Sequence, residues 1–287
     1  LNSLKKYSTK YAQLVERLHD DLKSSAGDQN RAKKIFIFHE RVQMSGVLAI
    51  EQILLRNGFI DEMSEPNDST LCSYCGRRMD EHNADVTNTL AGITAHHFNP
   101  SRFFIMHSMI KKTIMDQNRE RYNATENRNG KNLQIIVGSR IIRESYEFKA
   151  VQKAYILSLP TNISTLLQVL GRFNRNMSHI DLPPEQRRVE ICILLSTVGP
   201  SRSTPNTVSL ELYRYIYKLL DYRIIQEIER QINKSAFDAD IHRGINMSAD
   251  IRKMYFDQHG KMANGQMANR AQPNEILGNL YFEPAIM

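Results

Sequence analysis

The alternation of short apolar runs with helix-length amphipathic segments constrains the fold of this chain more than any other feature. Apolar runs typical of buried strands lie at 35–38, 103–106, 133–138, 154–159 and 189–195. Successive runs are far enough apart for the crossover helix that parallel strands require. The sequence therefore predicts an α/β fold with a doubly wound parallel sheet that is covered on both faces.

Several helix boundaries can be predicted as well. Ser8 or Thr9 can cap a first helix that carries a single apolar stripe. A second helix, from about 45 to 57, should end at Gly58. A third, from about 210 to 234, also carries an apolar stripe, which more often packs in a core than forms a binding surface.

The eight residues from Gln168 to Arg175 follow the pattern Gln-x-x-Gly-Arg-x-x-Arg. On one helix this spacing would place all three polar side chains on one side, so that Arg172 and Arg175 converge on a γ-phosphate. Gly171 is unfavourable inside a helix, which predicts that another group approaches the backbone closely there. The alternative is an amphipathic helix whose arginines are solvated or surface-paired.

Polar residues also follow two of the predicted strands directly, at 39–41 and 139–148. In open α/β sheets, ligands bind at the carboxyl ends of the strands. The order of these two segments and 168–175 resembles motifs four, five and six of the second RecA-like domain of superfamily 2 helicases.

A closer resemblance is to the helicase-like NTPases of nucleocytoplasmic large DNA viruses, which include poxvirus nucleoside triphosphate phosphohydrolase I and the small subunit of the early transcription factor. Residues 175–184 look like the extended motif Arg-x-x-Ser-His-x-x-Leu-Pro-Pro of that group. Residues 5–11 resemble its first helix, and 209–240 resemble the helix that closes its domain. The resemblance covers residues 5–246 except the insertion at 61–100.

The resemblance implies roles at a nucleotide site. Arg175, and with it Arg172, would be an arginine finger that stabilises charge on the transferred γ-phosphoryl group. Gln168 would orient a phosphate or the attacking water. The other residues implied to bind nucleotide are Gly171, Glu144 and Glu147, the last standing where Asp is usual in the family.

Contacts with nucleic acid are implied for Ser45, Gly46, Ser139, Arg140 and Arg143. Ser45 and Gly46 would set a helix N-terminus against a phosphate, although each serine can also be an ordinary helix cap. The net charge of +7, from 38 Lys and Arg against 31 Asp and Glu, favours a polyanionic partner without proving one.

The chain has neither a Gly-x-x-x-x-Gly-Lys-Ser/Thr loop nor an Asp-Glu-x-His or Asp-Glu-x-Asp strand end. ATP and Mg²⁺ would therefore need an N-terminal helicase domain of the same protein, and this piece should be inactive alone. The resemblance implies a viral nucleic-acid-dependent ATPase that acts on DNA or RNA with the viral transcription machinery, in the virion core and host cytoplasm. The alternative is a non-catalytic DNA- or partner-binding module of a viral early transcription factor.

We expect an N-terminal helix at 1–30, the RecA-like domain at 31–198, a helical extension at 199–247 and a loosely ordered tail at 248–287. The chain lacks an initiator Met, which is typical of a piece cut from a longer protein. Three cysteines give no disulfide framework and indicate a reducing, intracellular setting. No apolar run approaches the roughly 18 residues of a membrane span, so no membrane contact is expected.

Residues 61–100 interrupt the strand and helix pattern and read as an insertion. Cys72 and Cys75 form a Cys-x-x-Cys pair, and His82, His96 and His97 follow it. Two thiolates with His82 and either His96 or His97 would satisfy tetrahedral Zn²⁺ and fold a small polar insertion. The alternative is a reduced, unliganded loop; a redox role is disfavoured because the pair opens no thioredoxin-like βαβ unit.

Overall fold

A computed structural model describes residues 2–85, 93–143, 146–197 and 208–235. Its helices are α1 (Asn2–Tyr7), α2 (Thr9–Lys23), α3 (Val47–Arg56), α4 (Met79–Asp85), α5 (Lys112–Asn123), α6 (Ile163–Leu170) and α7 (Leu210–Ser235). Its strands are β1 (Lys34–Phe38), β2 (Ile60–Asp61), β3 (Arg102–Met106), β4 (Ile135–Gly138), β5 (Val151–Ile156) and β6 (Glu190–Ile193).

The six strands form one parallel sheet in the order β2-β3-β4-β1-β5-β6. The chain runs from β1 to the β2 edge, returns through β3 and β4, and then passes to β5 and β6 on the other side of β1. The loops that follow β4, β1 and β5 are therefore neighbours at the carboxyl edge of the sheet. The predicted α/β fold with a parallel sheet is confirmed.

Both faces of the sheet are covered, because alternate strand residues point to opposite sides. On one face, Ile35 and Ile37 of β1 share a buried core with α2 and α3. On the other face, the ring of Phe36 lies 5.3 Å from that of Phe148 and 4.8 Å from that of Phe173. β1 is thus enclosed on both sides, which explains its continuous apolar sequence.

Two predicted helix boundaries are confirmed, the start of α2 at Ser8 and the end of α3 before Gly58. Ser8 caps α2 by accepting a hydrogen bond from the backbone N of Tyr11 at 3.3 Å. Gly58 follows α3 with a φ of +89°, a left-handed conformation that favours glycine.

The start of β5 differs from the prediction. The strand begins at Val151 rather than at 154, because the polar residues Gln152 and Lys153 interrupt the apolar pattern. Lys153 Nζ lies 2.6 Å from Glu190 Oε2 on the neighbouring strand β6, so its charge is paired within the sheet.

The start of α2 and the start of α7 meet at Lys10. Its Nζ donates hydrogen bonds to both carboxylate oxygens of Glu211, at 2.8 and 2.6 Å, and to the carbonyl of Leu157 at 3.0 Å. The Lys10 side chain is 10% exposed and the Glu211 side chain 41%, so only the lysine side of this ion pair is shielded from water.

Residues up to Leu212 and residues from Tyr213 belong to two compact units. The apolar stripe of α7, from Leu210 to Ile232, is exposed, each of its residues being 43% to 63% accessible. The expectation that this stripe packs in a core is therefore wrong for the described residues. The predicted tail at 248–287 lies outside the described residues, as do 199–207 and 236–247 of the predicted extension. None of the helices in the described ranges is long and apolar enough to cross a membrane.

Candidate nucleotide and metal sites

Three segments that the sequence singled out meet around the guanidinium and carbonyl of Arg143. Arg143 Nη1 lies 3.7 Å from Glu40 Oε1, in the loop after β1. The carbonyl of Arg143, in the turn after β4, accepts a hydrogen bond from Arg172 Nη2. We call Glu40, Arg143 and Arg172 the arginine cluster. It joins the segments after β1, β4 and α6 by side-chain contacts.

The pattern from Gln168 to Arg175 does not lie on a single helix. α6 ends at Leu170, and Gly171 is its C-cap, with its backbone N bonded to Leu167 O at 2.8 Å. Arg172 and Arg175 follow in the turn beyond the helix. The expectation of one helical face is thus wrong, because glycine favours the end of a helix over its interior.

Gly171 shows no close approach from another segment in the described part of the chain. A Cβ added there would meet only the helix's own carbonyls, the nearest at 3.3 Å from Leu167 O. Its φ of −65° is ordinary for any residue. The closeness that the sequence predicted at this position is not seen.

The two arginines have different surroundings. Arg172 donates from Nη2 to the carbonyl of Arg143 within the arginine cluster, and its Nε is buried. Arg175 is exposed, and its Nε donates to Gly171 O at 3.0 Å. Arg175 is therefore available to a ligand, whereas Arg172 fixes the turn to the segment after β4.

Other predicted nucleotide residues are placed as follows. Gln168 is exposed on α6. Glu147 is partly exposed, and its backbone carbonyl accepts from Asn123 Nδ2 at 2.8 Å. Glu144 lies outside the described residues.

Ser139 and Arg140 open the turn after β4. Ser139 is buried, and its Oγ has no hydrogen-bond partner among the described residues. A buried hydroxyl without a partner is costly, so an additional group is expected to satisfy it. Arg140 is exposed, and its carbonyl accepts from Arg143 Nε at 3.2 Å.

Ser45 and Gly46 are a poorer phosphate site than predicted. Gly46 is the N-cap of α3, without a side-chain cap. The first amides of the helix already donate to loop carbonyls, Val47 N to Arg41 O and Leu48 N to Val42 O, both at 3.1 Å. Because these groups are occupied, the free N–H donors that a helix N-terminal phosphate site needs are missing here. The Ser45 carbonyl accepts from the hydroxyl of Tyr11 in α2.

Ser178 and His179 hold the turn that carries Arg175, a role that the sequence did not assign. Ser178 Oγ accepts from Arg175 N at 3.2 Å and lies 2.7 Å from His179 Nδ1. His179 Nε2 lies 2.6 Å from Val151 O, a carbonyl, so this nitrogen carries the proton and Nδ1 is the acceptor. The only sequence signal was the fixed position of these residues in the extended motif.

Four residues of the insertion form a compact ligand group. One ligand atom from each of Cys72, Cys75, His82 and His96 lies within 4.8 Å of the others, and all four residues are buried. His97, the alternative to His96, is exposed and is not part of this group. We call the four residues the Cys/His group. Its donor set fits a metal ion.

The Cys/His group has a distinct electrostatic character. A hydrogen bond from Cys75 lowers the pKa of the Cys72 thiol to about 5 and raises that of Cys75. Burial lowers the pKa of His82. The group thus favours a thiolate beside a neutral imidazole, the forms that bind metals.

The Cys/His group lies at the amino edge of the sheet. Cys72 bridges to Pro100, just before β3. The carbonyl of Ser73, between the two cysteines, accepts from Gln134 Nε2, just before β4, at 3.4 Å. The arginine cluster follows the carboxyl ends of the strands, so the two sites occupy opposite edges of the sheet.

Comparisons with known proteins point to one group of viruses. The chain is 37% identical over 241 residues to the early transcription factor large subunit homologue of African swine fever virus (isolate Pig/Kenya/KEN-50/1950). This alignment covers 83% of the chain and 19% of the viral protein. It is 25% identical over 267 residues to a protein of Acanthamoeba polyphaga mimivirus that is named as an ATP-dependent RNA helicase, covering 88% of the chain and 22% of that protein. It is also 25% identical to the early transcription factor 70 kDa subunit of Melanoplus sanguinipes entomopoxvirus, with 79% and 31% coverage.

The chain spans about a fifth of the length of the first of these relatives (19%). No profile of a known protein family matches it. Among solved structures, the crystal structure of T4 UvsW aligns with a TM-score of 0.38 and 11% identity over 73% of this chain and 32% of UvsW.

Proposed function

Because this chain belongs to the superfamily 2 helicase-like proteins of nucleocytoplasmic large DNA viruses, we propose that it is the C-terminal motor domain of a nucleic-acid-dependent ATPase of viral transcription. The observation that carries this proposal is the exposed Arg175 on a turn that the arginine cluster ties to the segments after β1 and β4. A cation held in this way can stabilise negative charge on a phosphoryl group without a large reorganisation.

In this proposal Arg175 is the arginine finger. Its exposed guanidinium has donors left to offer a γ-phosphate, and the neighbouring Gln168 is exposed to orient a phosphate or water. Arg172 acts mainly by tying the turn to Arg143, so that a shift of the segment after β4 reaches the finger. Gly171, Glu147 and Glu144 remain the proposed nucleotide contacts of the family pattern.

ATP and Mg²⁺ are the ligands of the motor, held together with an N-terminal helicase domain that carries the phosphate loop; Zn²⁺ belongs to the Cys/His group. DNA or RNA and the viral transcription machinery are the proposed partners, and the virion core and host cytoplasm the proposed location. The exposed Arg140 supports a nucleic-acid contact at the turn after β4. The net charge of +7 supports it electrostatically.

The proposal is tested by replacing Arg175 in the full-length protein. We expect Arg175→Ala to lower kcat for nucleic-acid-stimulated ATP hydrolysis by a factor of about 10³ to 10⁵, the range found for arginine fingers. Nucleotide affinity should change far less, because the finger acts mainly on the transition state.

Arg56→Ala is the matched control, since Arg56 is also exposed but ends α3 at the amino edge of the sheet. It should leave kcat unchanged. Wild-type turnover by the Arg175→Ala protein would overturn the motor proposal and favour the non-catalytic DNA- or partner-binding module instead.

A further inference from the structure

We infer that Cys72, Cys75, His82 and His96 form a closed, structural zinc site. This site clamps two segments of the insertion at 61–100, that of the cysteine pair and that of His96, onto the end of helix α2. This inference does not depend on the motor proposal, because the site lies at the opposite edge of the sheet from the arginine cluster. It goes beyond that proposal by making the zinc site closed and structural and by giving it the role of fixing the insertion to α2.

Two of the six distances between the ligand atoms are close to those of a zinc tetrahedron. The Nε2 atoms of His82 and His96 are 3.1 Å apart, and Cys72 Sγ is 3.4 Å from His96 Nε2. Zinc bonds of about 2.0–2.1 Å to nitrogen and 2.3 Å to sulfur give tetrahedral edges of about 3.3 Å between nitrogens and about 3.6 Å between nitrogen and sulfur. His82, His96 and Cys72 therefore need little movement to bind one ion, and Cys75 Sγ lies within 4.8 Å of their ligand atoms.

The tautomer of His96 is set for metal binding. Its Nδ1 lies 2.8 Å from the carbonyl of Thr94, which can only accept, so Nδ1 carries the proton. The lone pair of Nε2 then points at the other ligands. A backbone carbonyl that orients a histidine in this way is a common outer partner of zinc ligands.

The site is closed to substrate. The relative exposures are 0% for Cys72, 4% for Cys75, 2% for His82 and 8% for His96. Four buried protein ligands fill a tetrahedral shell, whereas catalytic zinc keeps one position open for water or substrate. Two thiolates with two imidazoles also select zinc over magnesium or calcium, which prefer oxygen ligands.

Apart from Leu71, which packs in the main core, the described part of the insertion has only a small hydrophobic cluster. Its hydrophobic cluster contains four buried residues, and two of them are the ligands Cys72 and Cys75. The others are Tyr74 and Ala32, the latter just before β1, and Ile93 and Phe98 pack against the cluster while partly buried. A module with so small a core needs a metal to fold stably.

The loop after α2 is hydrogen-bonded to two segments that carry ligands. Gly27 N donates to Tyr74 O, and Thr94 N donates to Ala26 O, both at 2.8 Å. The same loop thus contacts the segment of the cysteine pair and the segment of His96. Metal binding that fixes these two segments to each other also fixes them to α2.

Metal analysis tests the inference directly. Protein produced with zinc in the medium and purified without chelator should contain about one zinc per chain. Cys72→Ser and His96→Ala should lower this ratio towards zero. His97→Ala and Cys192→Ser are the matched controls, since they remove a neighbouring histidine and the remaining cysteine, and they should keep it near one.

Cobalt and protease measurements need no variant. Protein stripped of metal and titrated with Co²⁺ should show tetrahedral d–d bands and a thiolate charge-transfer band that saturate at one equivalent. Stripping should also speed tryptic cleavage at Arg77 and Arg78, between the ligands, and zinc should reverse it. Wild-type protein without zinc, cobalt bands of another geometry, or an equal loss of metal in His97→Ala and His96→Ala would overturn the inference.

Discussion

At the scale of single residues, Arg172 and Arg175 differ although they are three positions apart in one motif. Arg172 donates to the carbonyl of Arg143, and Arg175 is exposed. The sequence pattern predicts both on one phosphate, because it treats 168–175 as a single helix. Because the helix ends at Leu170, the two arginines lie in a turn and their side chains have different surroundings. Residue types were predictable here, but their partners depended on where the helix stops.

The choice between His96 and His97 shows the same limit. The sequence offered both as ligands, since they are adjacent and chemically identical. In the structure His96 is buried beside Cys72 and His97 is exposed. His96 packs against the ring of Tyr74 and close to the backbone of Gly27. Both contacts come from positions far from His96 in the sequence. Spacing alone does not contain that information.

Removing the hydroxyl of Ser178 should destabilise the protein. Ser178→Ala leaves the Arg175 N–H and the Nδ1 of the buried His179 without their partner. The expected loss in free energy of unfolding is about 1–3 kcal/mol, measured by urea denaturation. Ser108→Ala, at an exposed serine after β3, should stay within about 0.5 kcal/mol. Equal stability of the two variants would contradict the role given to Ser178.

At the scale of elements, the strands that were buried on both faces were the most predictable. β1, β3 and β4 read as apolar runs because both sides of each strand meet a core. The apolar pattern predicts the start of β5 three residues too late, because Gln152 and Lys153 are polar and are held in the strand by polar contacts. The two-residue β2 has too few positions to show any periodicity.

The loop after α2 should tolerate no side chain at Gly27. Its φ is +79°, and an added Cβ would lie 2.2 Å from Thr94 O and 2.7 Å from His96 Nδ1. Gly27→Ala should therefore cost about 1–3 kcal/mol through backbone strain alone and also displace a zinc ligand. The expected result is a lower thermal midpoint together with faster loss of zinc to a chelator.

Gly171→Ala is the comparison for that substitution. Gly171 has a helical φ, and its added Cβ meets no atom nearer than 3.3 Å. Alanine should leave the thermal midpoint and the zinc content close to those of the wild type. A Gly27→Ala protein that retains zinc as firmly as Gly171→Ala would show that the loop is not part of the clamp.

At the scale of the whole molecule, four histidines outside the Cys/His group link stability to pH. Burial lowers the pKa of His19, His39, His107 and His179 below the ordinary value. In the unfolded chain each titrates near pH 6.5. The folded state therefore binds fewer protons, and the stability from each group, present above about pH 6.5, is lost as pH falls through its folded pKa.

We expect the free energy of unfolding of the wild type to fall as pH is lowered from about 7 to about 6. Each histidine contributes at most about 1.4 kcal/mol per pH unit to this slope. His179→Gln should have a shallower slope than the wild type, measured by urea denaturation at pH 7.5, 6.5 and 6.0. Parallel slopes would mean that His179 is not buried in its neutral form.

The contact of Lys10 with Glu211 and Leu157 has a mechanical consequence. Lys10 and Glu211 are 201 positions apart and lie near the two ends of the compact unit that runs to Leu212, and their ion pair holds these ends together beside the end of β5. Opening of either end of this unit would therefore have to break the contact of Lys10 first.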